Sequence, residues 1–154
     1  MSKKIRHPLF SIWVLTLLIS CSTKPQPINY GSDACAFCQM TIVDKQHAAQ
    51  IVTVKGKAYK YDAIECMLNN YRKWNNPEAA HFLVNDYSNP GALVNAEEAW
   101  YLISEEIPSP MGEFLTAFES KNGLKSLGVT GDEYSWTELK SKFELDHKKN
   151  TYEK

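Results

Sequence analysis

The chain has 154 residues, with 17 basic and 18 acidic side chains, and 44% of its residues are hydrophobic. The first 20 residues carry three of the basic side chains and no acidic one, so the remaining 134 residues have a formal charge of −4. This acidic balance argues against nucleic acid as a partner, because nucleic-acid binding requires a concentrated basic face. The length suits one compact domain or two very small ones, and the aromatic content of 12% is enough for a hydrophobic core.

The N-terminus has the organisation of a bacterial lipoprotein signal peptide. Three basic side chains within the first six residues precede an apolar run over residues 9–19. This run is shorter than the about 20 apolar residues that a membrane-spanning helix needs. It ends in Leu-Ile-Ser-Cys, which resembles a lipobox, with the cysteine at position 21. We predict that residues 1–20 are removed and that Cys21 carries acyl chains such as palmitate. The alternative is an ordinary secretory signal with a chance cysteine.

A lipidated Cys21 predicts that the protein lies in the bacterial cell envelope, anchored to a membrane and facing the periplasm. The next residue, Ser22, is not one of the acidic residues that indicate retention in the inner membrane, so the outer membrane is favoured over the inner. Residues 21–32 contain two prolines and a glycine and are predicted to form a flexible, lipidated tether. Outside the cytosol, thiols tend to be oxidised unless something protects them.

Hydrophobic periodicity in the rest of the chain predicts short strands and three helices. The predicted strands cover residues 40–43, 48–54, 58–61, 81–85, 99–103 and 114–118. The predicted helices cover residues 63–74, 121–127 and 134–145. Asp62 is predicted to cap the first helix, and Asp62 and Glu65 to act as partners of its dipole. The order strand, strand, helix, strand occurs once in full, up to residue 85, and a second time less clearly, without its last strand, which indicates two related small units.

The predicted domain organisation follows from these elements. One domain is expected over residues 33–146, made of a first unit at about 33–88 and a second unit at about 89–146. A charged tail over residues 147–154 closes the chain.

Three sulfur-containing side chains, Cys35, Cys38 and Met40, fall within six residues, which is more than a packed core requires. Four explanations are open from the residues alone. A Cys35–Cys38 disulfide would close a very short loop and stabilise the fold little. A thioredoxin-like redox pair would need the motif at the N-terminus of a helix, whereas here it follows a tether and precedes a β-rich stretch.

A structural zinc site is the third explanation, and it would need four thiolate or imidazole ligands. Cys66 with His47 or His81 could complete such a set, but no spacing signature supports it. Cys66 and Met67 are interpreted instead as core residues, because Met67 lies on the apolar stripe of its predicted helix. The fourth explanation is a Cu(I) site, since thiolate and thioether together select Cu(I) over harder ions.

The chain resembles the NosL family, copper-binding lipoproteins that accompany nitrous oxide reductase. The resemblance rests on the lipobox cysteine, the proline-containing tether and the run CAFCQM at residues 35–40. The pairs YD at 61–62, ahead of a helix, and the run PMG at 110–112 also match the family. The family usually has glycine where this chain has Gln39, so a flexible backbone position is lost from the loop. The resemblance covers residues 33–121, approximately.

The resemblance implies an α+β fold of two small, related ββαβ units, similar to the accessory domain of organomercurial lyase. It also implies a Cu(I) chaperone rather than an enzyme, with nitrous oxide reductase, its maturation transporter and its accessory proteins as partners. Cys38 and Met40 carry over as copper ligands, Met111 as a third sulfur from the other unit, and Cys35 as a second thiolate. The alternative functions are a periplasmic thiol–disulfide reductant and a structural zinc-binding lipoprotein.

Overall fold

Two small antiparallel sheets and three helices form the part of the chain that the structure describes. The structure is a computed structural model that describes the backbone of residues 22–152 and the side chains of residues 22–144. The predicted signal peptide, residues 1–20, and the predicted lipidation site, Cys21, lie outside the described residues. The strands are β1 (Ala49–Thr53), β2 (Ala58–Tyr61), β3 (Ala79–Asn85), β4 (Leu93–Asn95), β5 (Trp100–Ile103), β6 (Leu115–Phe118) and β7 (Asp132–Ser135). The helices are α1 (Ile64–Arg72), α2 (Lys121–Ser126) and α3 (Trp136–Tyr152).

The first sheet is built around β1. Its strand order is β2-β1-β3-β4, and every neighbouring pair is antiparallel. β1 and β2 form a hairpin whose turn contains Gly56 at φ 79°, a backbone conformation that favours glycine. α1 then carries the chain across to β3, on the other side of β1. Because β1 is central, all five of its residues are buried.

The second sheet repeats this topology. Its order is β6-β5-β7, with β5 antiparallel to both neighbours and α2 connecting β6 to β7. In each unit the first strand lies in the centre, its hairpin partner on one side and the strand after the helix on the other. The predicted α+β fold with two related ββαβ units is therefore confirmed.

One hydrophobic core joins the two units. The Trp136 ring, at the start of α3, lies between Phe82 of the first unit and Tyr101 of the second, with ring centroids 5.4 Å and 6.0 Å away. The hydroxyl of Tyr101 is buried and donates a hydrogen bond to the carbonyl of Ala96, 2.7 Å away. α1, which belongs to the first unit, packs in the same core against β6 of the second unit and against α3.

Two local predictions around the first unit are wrong. Residues 40–43 do not form a strand; the backbone there makes one isolated bridge, between Ala34 and Thr41. Asp62 does not cap α1, which begins at Ile64 with Ala63 in the cap position. The carboxyl of Asp62 is buried instead, beside the loop that precedes β1.

Two strands are missing from the sequence prediction because tertiary pairing creates them. β4 has three residues and pairs with the end of β3. β7 has the polar sequence DEYS and becomes a strand by pairing with β5. The sequence predicts that the final helix begins at residue 134, inside β7. The helix begins instead at Trp136 and continues to Tyr152.

The beginning of the described chain lies along the first sheet. The side-chain amide of Gln50, which is buried in β1, forms two hydrogen bonds with the backbone of Gln26. Its Oε1 accepts from the Gln26 N–H at 2.9 Å, and its Nε2 donates to the Gln26 carbonyl at 2.8 Å. Ile28 is buried in the core, and the Ser22 carbonyl lies against Gly56. Residues 22–32 are thus held on the domain, which differs from the flexible tether that the sequence predicts. Within residues 22–152, no helix has the length and apolar character needed to cross a bilayer.

Candidate metal centre

The loop over residues 33–42 is folded back on itself and attached to the edge of the first sheet. The N–H of Cys35 donates to the carbonyl of Met40 at 2.8 Å, which closes the loop. The N–H of Ala36 donates to the carbonyl of Lys60 in β2, also at 2.8 Å. Since β2 is an edge strand, this contact uses a backbone group that would otherwise lack a partner. The Cys-x-x-Cys motif is thereby fixed beside the end of β2.

Gln39 takes the backbone conformation that glycine would supply. Its φ is 65°, in the left-handed region where side-chain-bearing residues are uncommon. The N–H of Gln39 donates to the carbonyl of Cys35 at 3.0 Å, so the turn is closed despite the substitution. A glutamine can adopt this conformation at a cost in free energy.

Three cysteine thiols meet at one point. Cys66 lies in the first turn of α1, and α1 begins directly after β2, to which the loop is attached. The sulfur atoms of Cys35, Cys38 and Cys66 all lie within 4.8 Å of one another. Cys35 and Cys66 are fully buried, whereas Cys38 is partly exposed. All three are free thiols.

Cys35 is placed to be a thiolate. A hydrogen bond from the Cys66 side chain, together with backbone N–H groups of Asp62, Cys38 and Phe37 that point at the sulfur, lowers the pKa of Cys35 to about 5, although burial opposes the shift. The N-terminal end of α1 also favours negative charge here. Close to neutral pH, the cluster therefore holds one ionised sulfur.

The other two thiols are held in the protonated state. The hydrogen bond that Cys66 makes to Cys35 raises the pKa of Cys66 far above its usual range, and burial adds to the effect. Burial is the main cause that raises the pKa of Cys38, and the charge on Cys35 acts in the same direction. A soft cation bound to the cluster would replace these protons, because thiolates rather than thiols are metal ligands.

Asp62 lies next to the cluster but is a weak candidate for a ligand. Burial raises the pKa of Asp62, and the negative charge of Cys35 raises it further. One of its carboxyl oxygens is buried without a hydrogen-bond partner. The backbone N–H of Asp62 points at the sulfur of Cys35, so this residue contributes to the site through its backbone.

The two predicted thioether ligands lie on exposed loops. Met40 is 55% exposed, and its backbone N–H points at the sulfur of Cys38. Met111 is 37% exposed and lies in a loop of the second unit. That loop is attached to the first turn of α1, since the hydroxyl of Ser109 donates a hydrogen bond to the buried carboxyl of Glu65. The loop that carries Met111 therefore rests against the same end of α1 as Cys66.

Glu65 lies in the first turn of α1, where the helix dipole favours an acidic group as its position predicts, but its side chain points into the protein. It is fully buried, and burial raises the pKa of its carboxyl. The same carboxyl oxygen that binds the Ser109 hydroxyl also accepts from the N–H of Leu115, at 3.4 Å. Glu65 thus connects α1 to the second unit, a role that the sequence did not indicate.

The histidines considered for a zinc site lie elsewhere. His47 is buried, but Asp44 lies 3.1 Å from its Nδ1 and Thr116 lies 3.3 Å from its Nε2, so both ring nitrogens have partners. His81 is exposed on β3. In the part of the chain that the structure describes, the group of possible metal ligands around Cys35 consists of cysteines alone.

Cys66 is the cluster residue that sequence reasoning considered only as a zinc ligand and then assigned to the core. It lies 28 positions after Cys38, too far for any ligand-spacing pattern to connect the two, and Met67 beside it supports a core interpretation. The signal that could have found it is its place in the first turn of a helix, where backbone N–H groups stabilise thiolates.

The arrangement suits a soft, low-coordinate cation. Structural zinc takes four ligands, whereas three sulfurs suffice for Cu(I), which thiolates also select by softness. A metal at about 2.3 Å from each of three sulfurs in a plane would separate those sulfurs by about 4 Å. The sulfur–sulfur distances in the cluster are at most 4.8 Å, so the three sulfurs need to move little to reach that spacing.

Comparisons with known proteins identify the family and the fold. The sequence profile of the NosL family matches residues 27–127. The fold is similar to the crystal structure of the copper chaperone NosL from Shewanella denitrificans, with a TM-score of 0.64 and 18% identity, over 76% of this chain and 96% of that chain. No curated protein sequence matches this one. Because the profile spans more than half of the chain, the protein belongs to the NosL family.

Proposed function

From its membership of the NosL family, we propose that this protein is an exported, membrane-anchored Cu(I) chaperone that delivers copper to nitrous oxide reductase. The observation that carries the proposal is the cluster of three free cysteine thiols within 4.8 Å of one another. Copper is the cargo in this account, and the protein is not an enzyme.

Capture of Cu(I) uses the ionisation state of the cluster. The pKa of Cys35 is lowered to about 5, so a thiolate is present at neutral pH before metal arrives. Binding therefore needs fewer protons to be released than at a site of three ordinary thiols. Cys38, the partly exposed member, is the first cysteine that a copper donor can reach.

Release uses the exposed side of the site. Cu(I) accepts two or three soft ligands, so it can pass between proteins by ligand exchange without ever being free. Met40 and Met111 are exposed thioethers: the backbone N–H of Met40 points at the sulfur of Cys38, and the loop of Met111 is hydrogen-bonded to Glu65, the residue before Cys66. We propose that both coordinate Cu(I) during loading and transfer, in addition to Cys35 and Cys38.

The proposed lipid anchor suits this role. The Ser22 carbonyl lies at the turn between β1 and β2, whereas the cysteine cluster lies at the far end of β2. Four strand residues at about 3.3 Å each separate the two ends by about 13 Å. A lipidated Cys21 would thus hold the hairpin turn near the membrane and leave the copper site facing the periplasm, with the outer membrane favoured.

Copper content of the client enzyme tests the proposal. A strain that lacks this protein should yield nitrous oxide reductase depleted of copper, and the wild-type chain should restore it. Cys38→Ser should fail to restore copper content, and Cys21→Ser should restore it poorly because the carrier is no longer anchored. Normal copper content in the deletion strain, grown with limiting copper, would refute delivery to this enzyme.

A thiol–disulfide reductant is the second candidate, because a low-pKa thiolate at Cys35 beside Cys38 is also suited to thiol exchange. A reductant needs neither thioether. Replacement of both Met40 and Met111 by leucine should impair copper delivery in the chaperone account, whereas reduction of a model disulfide should be unaffected if the protein is a reductant.

A further inference from the structure

We infer that Cys66 is a third copper ligand, so that the resting site is a three-coordinate, all-cysteine Cu(I) site with Cys35 and Cys38. This inference rests on the proposed function, since it takes Cu(I) as the cargo. It departs from the sequence interpretation, in which Cys66 is a core residue and a cysteine pair is completed by methionines.

The surroundings of Cys66 are those of a ligand rather than of a core thiol. A cysteine in an ordinary core packs against carbon atoms and has no polar role. The thiol of Cys66 instead hydrogen-bonds to the sulfur of Cys35, and its sulfur lies within 4.8 Å of both other cysteines. Cys66 and its neighbour Met67 are both buried in the same hydrophobic cluster, so the contact of the Cys66 sulfur with two other sulfurs, and not burial, distinguishes it from an ordinary core thiol.

The position of Cys66 on a helix gives the site a rigid base. α1 is held between the two units by the buried Glu65 carboxyl and by the shared core. Cys66 and Cys35 are both fully buried, so neither sulfur can swing into solvent without opening the fold. Cys38 is the one member of the described cluster with solvent access, which makes it the first sulfur to bind an incoming Cu(I) and the last to release a departing one.

The fold also supplies what a negatively charged copper–thiolate group needs. Three thiolates and one Cu(I) carry net negative charge, and burying that charge is costly unless hydrogen bonds compensate. Backbone N–H groups of Phe37, Cys38 and Asp62 already point at the sulfur of Cys35. The first turn of α1 adds further N–H groups and the positive end of the helix dipole.

Copper-edge X-ray absorption of the loaded, reduced protein, purified in detergent with its anchor, tests the inference. The measurement should be made in a Met40→Leu, Met111→Leu background, where cysteine is the only sulfur ligand left near the site. We expect three sulfur neighbours at about 2.3 Å. Adding Cys66→Ser should reduce the number to two and lower Cu(I) affinity at least tenfold, the low end of what loss of a supporting residue costs a metal site.

Met67→Leu is the matched control, because it removes a buried sulfur from the next position of the same helix. It should leave both the sulfur number and the affinity unchanged. Two sulfur neighbours in the Met40→Leu, Met111→Leu background, or equal Cu(I) affinity with and without Cys66, would overturn the inference. If Cys66→Ser does not fold, the sulfur number in the Met40→Leu, Met111→Leu background decides alone.

The outcomes separate the inference from the proposed function. Tight Cu(I) binding with two sulfur neighbours would leave the chaperone proposal standing and remove Cys66 from the site. Failure of the wild-type chain to retain Cu(I) would overturn both.

Discussion

Cys35 sets the chemistry of the cluster, because it is the sulfur that the fold ionises. Its pKa falls from an ordinary value of 9.0 to about 5, mainly through the hydrogen bond from Cys66. A group whose pKa is depressed in the folded state contributes stability that is fully present above its unfolded pKa and is lost as the pH falls through its folded pKa. For Cys35 that window runs from about pH 9 down to about pH 5.

The resulting prediction concerns the metal-free, reduced protein. Its free energy of unfolding should decrease between about pH 9 and about pH 5, and the decrease should be smaller in Cys35→Ser. Denaturant titrations of the two proteins across this range measure the difference. Parallel pH profiles for wild type and Cys35→Ser would show that Cys35 is not ionised in the folded state.

Gln39 gives a second prediction at the scale of the residue. Its left-handed φ of 65° costs glutamine free energy that glycine would not lose. Gln39→Gly should therefore retain Cu(I) binding and change stability by no more than about 1 kcal/mol, in the stabilising direction. Gln39→Val, a β-branched residue poorly suited to this region, should destabilise by about 1–2 kcal/mol or more.

Thermal unfolding of the two Gln39 variants checks this. If valine is tolerated as well as glycine, the loop does not require the left-handed conformation. Sequence reasoning identified this position as unusual from the family pattern. Sequence reasoning could not show that the turn is closed with glutamine at this position, because closure depends on the hydrogen bond from the N–H of Gln39 to the carbonyl of Cys35.

At the scale of elements, α1 is the part that connects the two units and the site. Its first turn carries Cys66, a ligand candidate, and Glu65, which binds the loop of Met111 through Ser109. Helix periodicity predicted the existence of α1 and the buried positions of Ile64 and Met67. It could not predict the role of Glu65, because an acidic residue in a first helical turn is usually a solvent-facing dipole partner.

Ser109→Ala tests this connection. It would leave the buried Glu65 carboxyl without its hydroxyl donor, which should reduce the free energy of unfolding by about 1–3 kcal/mol. Ser141→Ala is the control, since Ser141 is exposed and its hydroxyl bonds to Thr137 within α3. Equal, small effects in denaturant unfolding of the two variants would contradict a structural role for the Ser109–Glu65 contact.

At the scale of the whole molecule, the start of the described chain determines how an anchored domain would face its surroundings. A side chain at Gly56 would place its Cβ 2.7 Å from the Ser22 carbonyl. Gly56→Ala should therefore displace the N-terminal segment. Gly91→Ala is a matched control, because Gly91 also has a positive φ, 90°, but open space around it.

Hydrogen exchange over residues 22–28 measures the displacement. It should rise in Gly56→Ala and stay at the wild-type level in Gly91→Ala, although both variants bear backbone strain. Unchanged exchange in Gly56→Ala would mean that the segment is not held at the turn. Composition alone indicated a free tether here. It could not indicate the hydrogen bonds between Gln26 and Gln50, because these residues are 24 positions apart and meet only in the folded protein.

Element order indicated two related units and the family resemblance implied their ββαβ topology, whereas neither indicated the joint core or the meeting of Cys66 with the CxxC loop. Those features depend on contacts between residues far apart in the chain, such as Trp136 with Phe82 and Tyr101. The short strands β4 and β7 depend in the same way on their partners. Local pattern carries no information about such pairing.

The measurement that tests the central claim most directly is an anaerobic Cu(I) titration of the purified, reduced protein against a chromophoric competitor, with Zn(II) in parallel. We expect one tightly held Cu(I) per chain, no comparable retention of Zn(II), and a loss of more than about 100-fold in Cu(I) affinity for Cys38→Ser, which is more than the loss of a residue that only supports a ligand costs. Failure to retain Cu(I), or preference for Zn(II), would contradict the account.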